Sequence, residues 1–227
     1  MQSVSTLIGI LLSSVAMLLG MLGSTEAKEA AFVDTETGVS LNIESTSSPS
    51  DTVFPLHDSE DRQVLLGFGQ YVTPDPAQNP IDPPERFIGY HTAIDFEILD
   101  GEESTEVPVH AIADGEILFS GEVSGYGGVI IQSAEINGQE VTVLYGHMQI
   151  SSLATKGTQL QQGDSLGILA TAESPDSGYT RKHLHLSIHK GTEIEFLGYV
   201  QTPDELNAFI DPLTVLPLLS RSGVFLS

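Results

Sequence analysis

Three short stretches concentrate the side chains that could do chemistry. In His183–Leu184–His185–Leu186–Ser187–Ile188–His189 apolar and polar residues alternate, as on a strand whose successive side chains point to opposite faces. Leu184, Leu186 and Ile188 then share an apolar face, and His183, His185, Ser187 and His189 share the other. Imidazoles at i and i+2 stand about 7 Å apart at the backbone, so one can ligate a metal while its neighbour meets a substrate. His91–Thr92–Ala93–Ile94–Asp95 is the second stretch. Its surroundings read as extended, which puts His91, Ala93 and Asp95 on one face but separates His from Asp by about 13 Å at the backbone of a straight strand. If both serve one ion the chain must bend here, with Gly89 a candidate for easing the bend, and the small Ala93 leaves room between them. Tyr145–Gly146–His147, the third stretch, ends an apolar run with a glycine that permits a turn or a close approach. His57 and His110 carry no such pattern and read as incidental. Each stretch alone fits a histidine on a solvated strand face or one bonded to backbone equally well.

Composition narrows the choice. The 227 residues suit one domain with a tail, or two small domains, and 40% hydrophobic content is ample for a core. Lys and Arg number 8 against 31 Asp and Glu, a formal net charge of −23, which would repel nucleic acid and anionic membrane surfaces. There is no cysteine, so disulfides, thiolate metal sites and a cysteine nucleophile are excluded. A transition metal would have to be held by His and carboxylate, a set that suits zinc in a catalytic site. The apolar run from Thr6 to about Leu22, with charge beginning at Glu26, is short for a bilayer span and right for the core of a signal peptide. The expectation is a signal peptide over 1–27, cleaved after Ala27, and hence a periplasmic or extracellular protein. No Lys or Arg precedes the run, which leaves an uncleaved anchor open; no other membrane span is expected.

Residues 28–60 are rich in Ser, Thr, Asp and Glu and read as a linker or loosely ordered arm. From about residue 61 to 216 short apolar runs alternate with Gly, Pro and Asp, without a stretch of helical period; 217–227 is a tail. Asp114–Gly115 and Asn137–Gly138 are hairpin dipeptides between apolar runs, and Gln162–Gly163–Asp164 separates a further pair of runs. The fold class expected is all-β, an antiparallel sandwich or open barrel with few or no helices beyond the signal segment.

Taken in order, His-x-x-x-Asp, Tyr-Gly-His and His-Leu-His on such a domain resemble the lysostaphin-like zinc metallo-endopeptidases, which cut the peptide part of bacterial peptidoglycan. The connecting pieces Val107–Gly115, Gly125–Gly128, Lys156–Gly163 and Asp211–Leu213 resemble that family too. The resemblance implies the duplicated hybrid motif fold, zinc held by His91, Asp95 and His185, and His147 and His183 as the two catalytic histidines outside the ligand set. Which of the two acts as base stays open. It also implies peptidoglycan peptide stems or cross-bridges as substrate. Two positions depart from the family: Ala93 stands where glycine is usual, and 174–182 replaces a short glycine-containing turn. Since loops near that position wall the family's substrate groove, Tyr126, Tyr179 and Arg181 are candidate substrate contacts, Arg181 for a carboxylate. A purely structural exported β-domain would leave the five placed residues a coincidence. Two other readings have more in their favour: a catalytically silent relative that binds the wall or activates another wall hydrolase, and a sugar-transport phosphocarrier, which the resemblance gives a similar fold and paired histidines. The filled ligand positions disfavour the first; the signal segment and Asp95 disfavour the second.

Overall fold

The computed structural model describes residues 51–79, 81 and 86–217. The signal segment expected over 1–27, most of the arm and the tail beyond 217 lie outside the described residues.

Period-two alternation decides which way the long strands face. One sheet of eight strands runs in the order β1 (Val64–Leu66), β4 (Ala93–Glu97), β11 (His183–Lys190), β8 (Gln139–Met148), β7 (Gly127–Ile136), β6 (Gly115–Val123) and β9 (Gln159–Leu160), with β13 (Phe209–Ile210) also pairing β11. Two small sheets join β10 (Ser165–Ile168) to β5 (Pro108–His110), and β12 (Tyr199–Val200) to β3 (Gly89–His91) and β2 (Tyr71–Val72). All pairings are antiparallel. Among the described residues the helical pieces are single 3₁₀ turns of three or four residues. The all-β expectation is met.

The main sheet buries both faces unequally. Val141, Val143 and Tyr145 of β8 join Ile130, Ile94, Phe96, Leu184, Leu186 and Ile188 in the larger core, which is closed by β5, β10 and Leu56. On the opposite face Leu144, Val129 and Ile131 form a small cluster under Phe119, Tyr126 and Phe196. That second face carries Gly146 and the histidines of β11. Tyr145 fixes the larger core by a polar bridge: its hydroxyl donates to Gln132 Oε1 (2.7 Å) and accepts from the Ile112 amide (2.9 Å).

Of the turns read from sequence, Asn137–Gly138 forms the β7–β8 hairpin, with both residues at positive φ (53° and 72°) and Ile136 paired to Gln139. Asp114–Gly115 does not form one. β5 leaves to pair with β10, while Gly115 starts β6 against Ala134, and a Cβ there would lie 1.7 Å from the Ser133 carbonyl oxygen. The runs around Gln162–Gly163–Asp164 likewise pair elsewhere, β9 with β6 and β10 with β5. The last ten residues of the expected loose arm pack on the domain. Leu56 is buried in the core, the Val53 amide donates to Ile112 O, and His110 N donates to Pro55 O. Two or three apolar residues with backbone partners suffice for this, whatever the polar composition around them.

Candidate metal centre and active site

β4 and β11 lie side by side in antiparallel register, which sets His185 opposite Asp95 and His183 opposite Glu97. Asp95 and Glu97 thus face the same side of the sheet as the two histidines. His91 arrives from a different sheet. The chain turns at Thr92, between β3 and β4, where the backbone N–H donates to Gly198 O, the hydroxyl donates to Leu197 O, and the carbonyl accepts from Ser187 Oγ. This is the bend that the spacing of His91 and Asp95 required. Gly89 does not make it; a Cβ there would lie 2.5 Å from the Val200 carbonyl oxygen, so glycine serves the close approach of β12.

The bend brings three donor atoms together. His91 Nε2 is 3.2 Å from His185 Nδ1 and 3.4 Å from Asp95 Oδ1, and His185 Nδ1 is 3.1 Å from Asp95 Oδ1. All three residues are buried, and among the described residues they form the one group able to hold a metal ion. Bonds of about 2.0–2.1 Å to a tetrahedral ion imply donor separations of about 3.3 Å, so this triangle has the right size. The outer nitrogens support it. His91 Nδ1 faces Gly67 O at 3.3 Å, where only an N–H can bond, which leaves a lone pair on Nε2 for the centre. His185 Nε2 faces the Tyr126 hydroxyl at 3.3 Å. Outer-atom bonds of this kind orient metal-ligating imidazoles.

His147 reaches the same place against the alternation. Tyr145 faces the core, so His147 should too. A bulge opposite Gly128–Ile130 and a left-handed backbone at His147 (φ 64°) turn the ring to the other face. His147 Nδ1 there donates to Ser177 O (2.8 Å) and Tyr126 O (3.0 Å), and its ring centre is 4.4 Å from that of His183. Gly146 makes room beside it: a Cβ would meet the Tyr126 ring at 2.7 Å.

Burial shapes the charges. Desolvation alone would raise the Asp95 carboxyl, but His183 and His91 beside it hold it well below the usual carboxylate range. Burial pushes His147 well down, helped by the neighbouring His183, and pushes His185 down to about 4. These imidazoles are therefore held neutral, the form in which nitrogen can ligate or accept a proton.

Residues 89–195 match the model of peptidase family M23. This stretch, just under half of the chain, is similar to that family. The match spans all five residues, from β3 to just past β11. No curated protein matches by sequence. Among solved structures, a chain of the SpoIIQ–SpoIIIAH pore-forming complex is similar over 77% of this chain and 99% of its own, at 15% identity and TM-score 0.50. Lysostaphin from Staphylococcus simulans is similar over 74% of this chain and 55% of its own (19% identity, TM-score 0.48). Csd3 from Helicobacter pylori is similar over 74% of this chain (20% identity, TM-score 0.44), and the match spans 33% of Csd3. At 15% identity the likeness to the SpoIIQ–SpoIIIAH chain is one of fold alone.

A cavity of about 540 Å³ opens over Asp95, His147, His183 and His185. Its rim is apolar and aromatic, with Phe87, Ile88, Leu197 and Tyr179 all exposed. Of the candidate substrate contacts, Tyr179 stands on this rim, while Tyr126 lies deeper with its hydroxyl on His185. Arg181 also borders the cavity, but its guanidinium is turned to carboxylates: Nη2 donates to Asp95 Oδ2 and Nε to Glu97 Oε1, both at 2.9 Å. Sequence reasoning missed Glu97 and the Gly67 carbonyl. Glu97 is two residues past Asp95 on the same strand face, so period two could have flagged it. Nothing local marks Gly67.

Proposed function

We propose that the chain is an exported zinc endopeptidase that hydrolyses peptide bonds of bacterial cell-wall peptidoglycan. The observation that carries this reading is the His91–Asp95–His185 triangle, with donor separations of 3.1–3.4 Å, facing a cavity that also holds His147 and His183. Two neutral imidazoles and one carboxylate are a donor set that zinc accepts in catalytic sites, with a fourth position left for water. Zinc bound there would lower the pKa of that water to about 7 and polarise the scissile carbonyl.

The protein's own groups supply the rest. His147 and His183 each have Nδ1 committed to a backbone carbonyl, Ser177 O and Arg181 O respectively, so Nε2 is the atom each has left for proton transfer, that of His183 lying 3.4 Å from Asp95 Oδ2. One can take the proton of the attacking water and return it to the leaving amine. The other, carrying a proton, can donate to the oxyanion of the tetrahedral intermediate. The apolar rim offers a surface for the substrate chain. Export is supported by the apolar segment before Glu26, and peptidoglycan by the similarity of residues 89–195 to peptidase family M23.

Zinc content of the purified chain, measured beside digestion of purified peptidoglycan with and without chelator, tests the reading. About one zinc per chain with chelator-sensitive release of wall peptides is the expected result. Absence of zinc overturns the metallopeptidase assignment; zinc without release overturns peptidoglycan as the substrate or the activity itself.

A further inference from the structure

Arg181 sits outside the donor triangle, yet it touches the site twice, once with its side chain and once with its main chain. Asp95 uses Oδ1 toward His91 and His185. Its other oxygen, Oδ2, accepts from Arg181 Nη2 at 2.9 Å and lies 3.4 Å from His183 Nε2. The same guanidinium is held from behind, Nε donating to Glu97 Oε1 at 2.9 Å, and Glu97 is the residue paired with His183 across β4 and β11. Meanwhile the carbonyl of Arg181 accepts from His183 Nδ1 at 2.9 Å. We propose that Arg181 is a positioning residue of the metal centre, holding Asp95 to one oxygen for the metal and fixing the ring of His183, rather than a residue that binds substrate. This inference rests on the zinc reading above.

The physical case is one of competition for a carboxylate. An aspartate with both oxygens free can rotate about its last side-chain bond and offer either oxygen, or both, to an ion. A guanidinium on Oδ2 removes that choice, because its planar N–H donors fix direction as well as distance. Lysine's ammonium lacks the planar fork that meets Oδ2 of Asp95 and Oε1 of Glu97 from two separate nitrogens. The arginine is itself anchored: Lys182, next in sequence, donates to the backbone carbonyl of Glu102 at 2.8 Å and is buried to 7% exposure. Arg62 clamps the same Glu102 through two bonds, at 2.6 and 2.8 Å. The segment that delivers Arg181 is thus tied to the loop that follows β4, so Asp95 and its holder are located by one piece of structure. A side chain meant to meet a mobile substrate carboxylate would not have its Nη2 and Nε satisfied in advance by a buried aspartate and a half-buried glutamate.

The test is zinc affinity of the full chain, by competition with a chromogenic chelator, for wild type, R181Q and R181K, together with KM and kcat at saturating zinc. Loss of an outer partner of a ligand typically costs about 10–100-fold in metal affinity. R181Q is expected to weaken zinc binding by that factor and to lower kcat, with KM changed by less than about twofold, since no substrate contact is lost. R181K is expected to restore only part of the affinity. E97Q, which leaves Asp95 and its donors unchanged and removes only the charge behind the guanidinium, is expected to show the same split in smaller measure; it keeps the question decidable if R181Q does not fold. A raised KM with unchanged zinc affinity in either variant would overturn the inference and return Arg181 to the substrate. Unchanged zinc affinity with unchanged kinetics would overturn it as well. Failure of the wild type to bind zinc would instead overturn the proposed function.

Discussion

The floor and the rim of the cavity are built in opposite ways. The floor is sheet: Asp95, His183 and His185 stand on two adjacent strands whose register places them opposite one another, and His147 is held by a bulge in the next strand. Its polar atoms meet partners at 2.8–3.4 Å in every direction traced above. The rim is loop: Phe87, Ile88, Tyr179 and Leu197 expose 40%, 51%, 62% and 52% of their surface and come from three separate connections. A sheet ladder fixes atoms to fractions of an ångström, which bond-making requires; loops vary without disturbing it, which suits choosing a substrate. The difference separates two kinds of mutational effect, and the expected outcomes below range from the largest to the smallest.

Removing a floor donor should be the most severe change. H185A is expected to lose zinc and fall to background hydrolysis, read by metal analysis and wall-peptide release. H147A should keep its zinc, because His147 is outside the triangle, while kcat falls by about 10²–10⁴-fold, the range for loss of a positioned acid or base. If H147A also loses zinc, the floor is one unit rather than a ligand set with separate helpers. Y145F probes the support beneath. It strands the Ile112 amide and Gln132 Oε1, which should cost about 1–3 kcal/mol of unfolding free energy in denaturant titration with zinc content unchanged. On the rim, L197A should shift KM by only about two- to tenfold, the value of a lost apolar contact in a pocket, with zinc content and kcat intact. A kcat loss there comparable to that of H147A would erase the distinction between floor and rim.

The floor was largely legible in the sequence and the rim largely not, for a physical reason. Alternation in His183–His189 assigns faces because the strand's period is two, and the leucines did go to the core while His183 and His185 line the cavity. The His91–Asp95 spacing even called for a bend, and Thr92 supplies it. Period two says which face a residue takes, however, and not which strand lies beside it. Asp114–Gly115 therefore looked like a hairpin although β5 and β6 pair with other partners. Arg181 shows the same limit on a finer scale: its type suggested a carboxylate partner, and only the fold shows that the carboxylates are Asp95 and Glu97. His147 would have been assigned to the wrong face by alternation, since a bulge has no clear local signature.

Arg62, Arg181 and Lys182 are three of only eight basic residues in a chain carrying 31 acidic ones, and all three are turned inward onto the backbone and carboxylates around β4. Positive charge is thereby withdrawn from the surface of a protein that has little of it. At a formal net charge of −23 the chain gathers a counter-ion cloud in which divalent cations are enriched over the bulk. Such a cloud relieves self-repulsion as ionic strength rises, with a reach of about 10 Å at 0.1 M salt. Salt should accordingly stabilise this fold, and the sparse cations indoors, shielded from that salt, should keep their grip on the site across the same range.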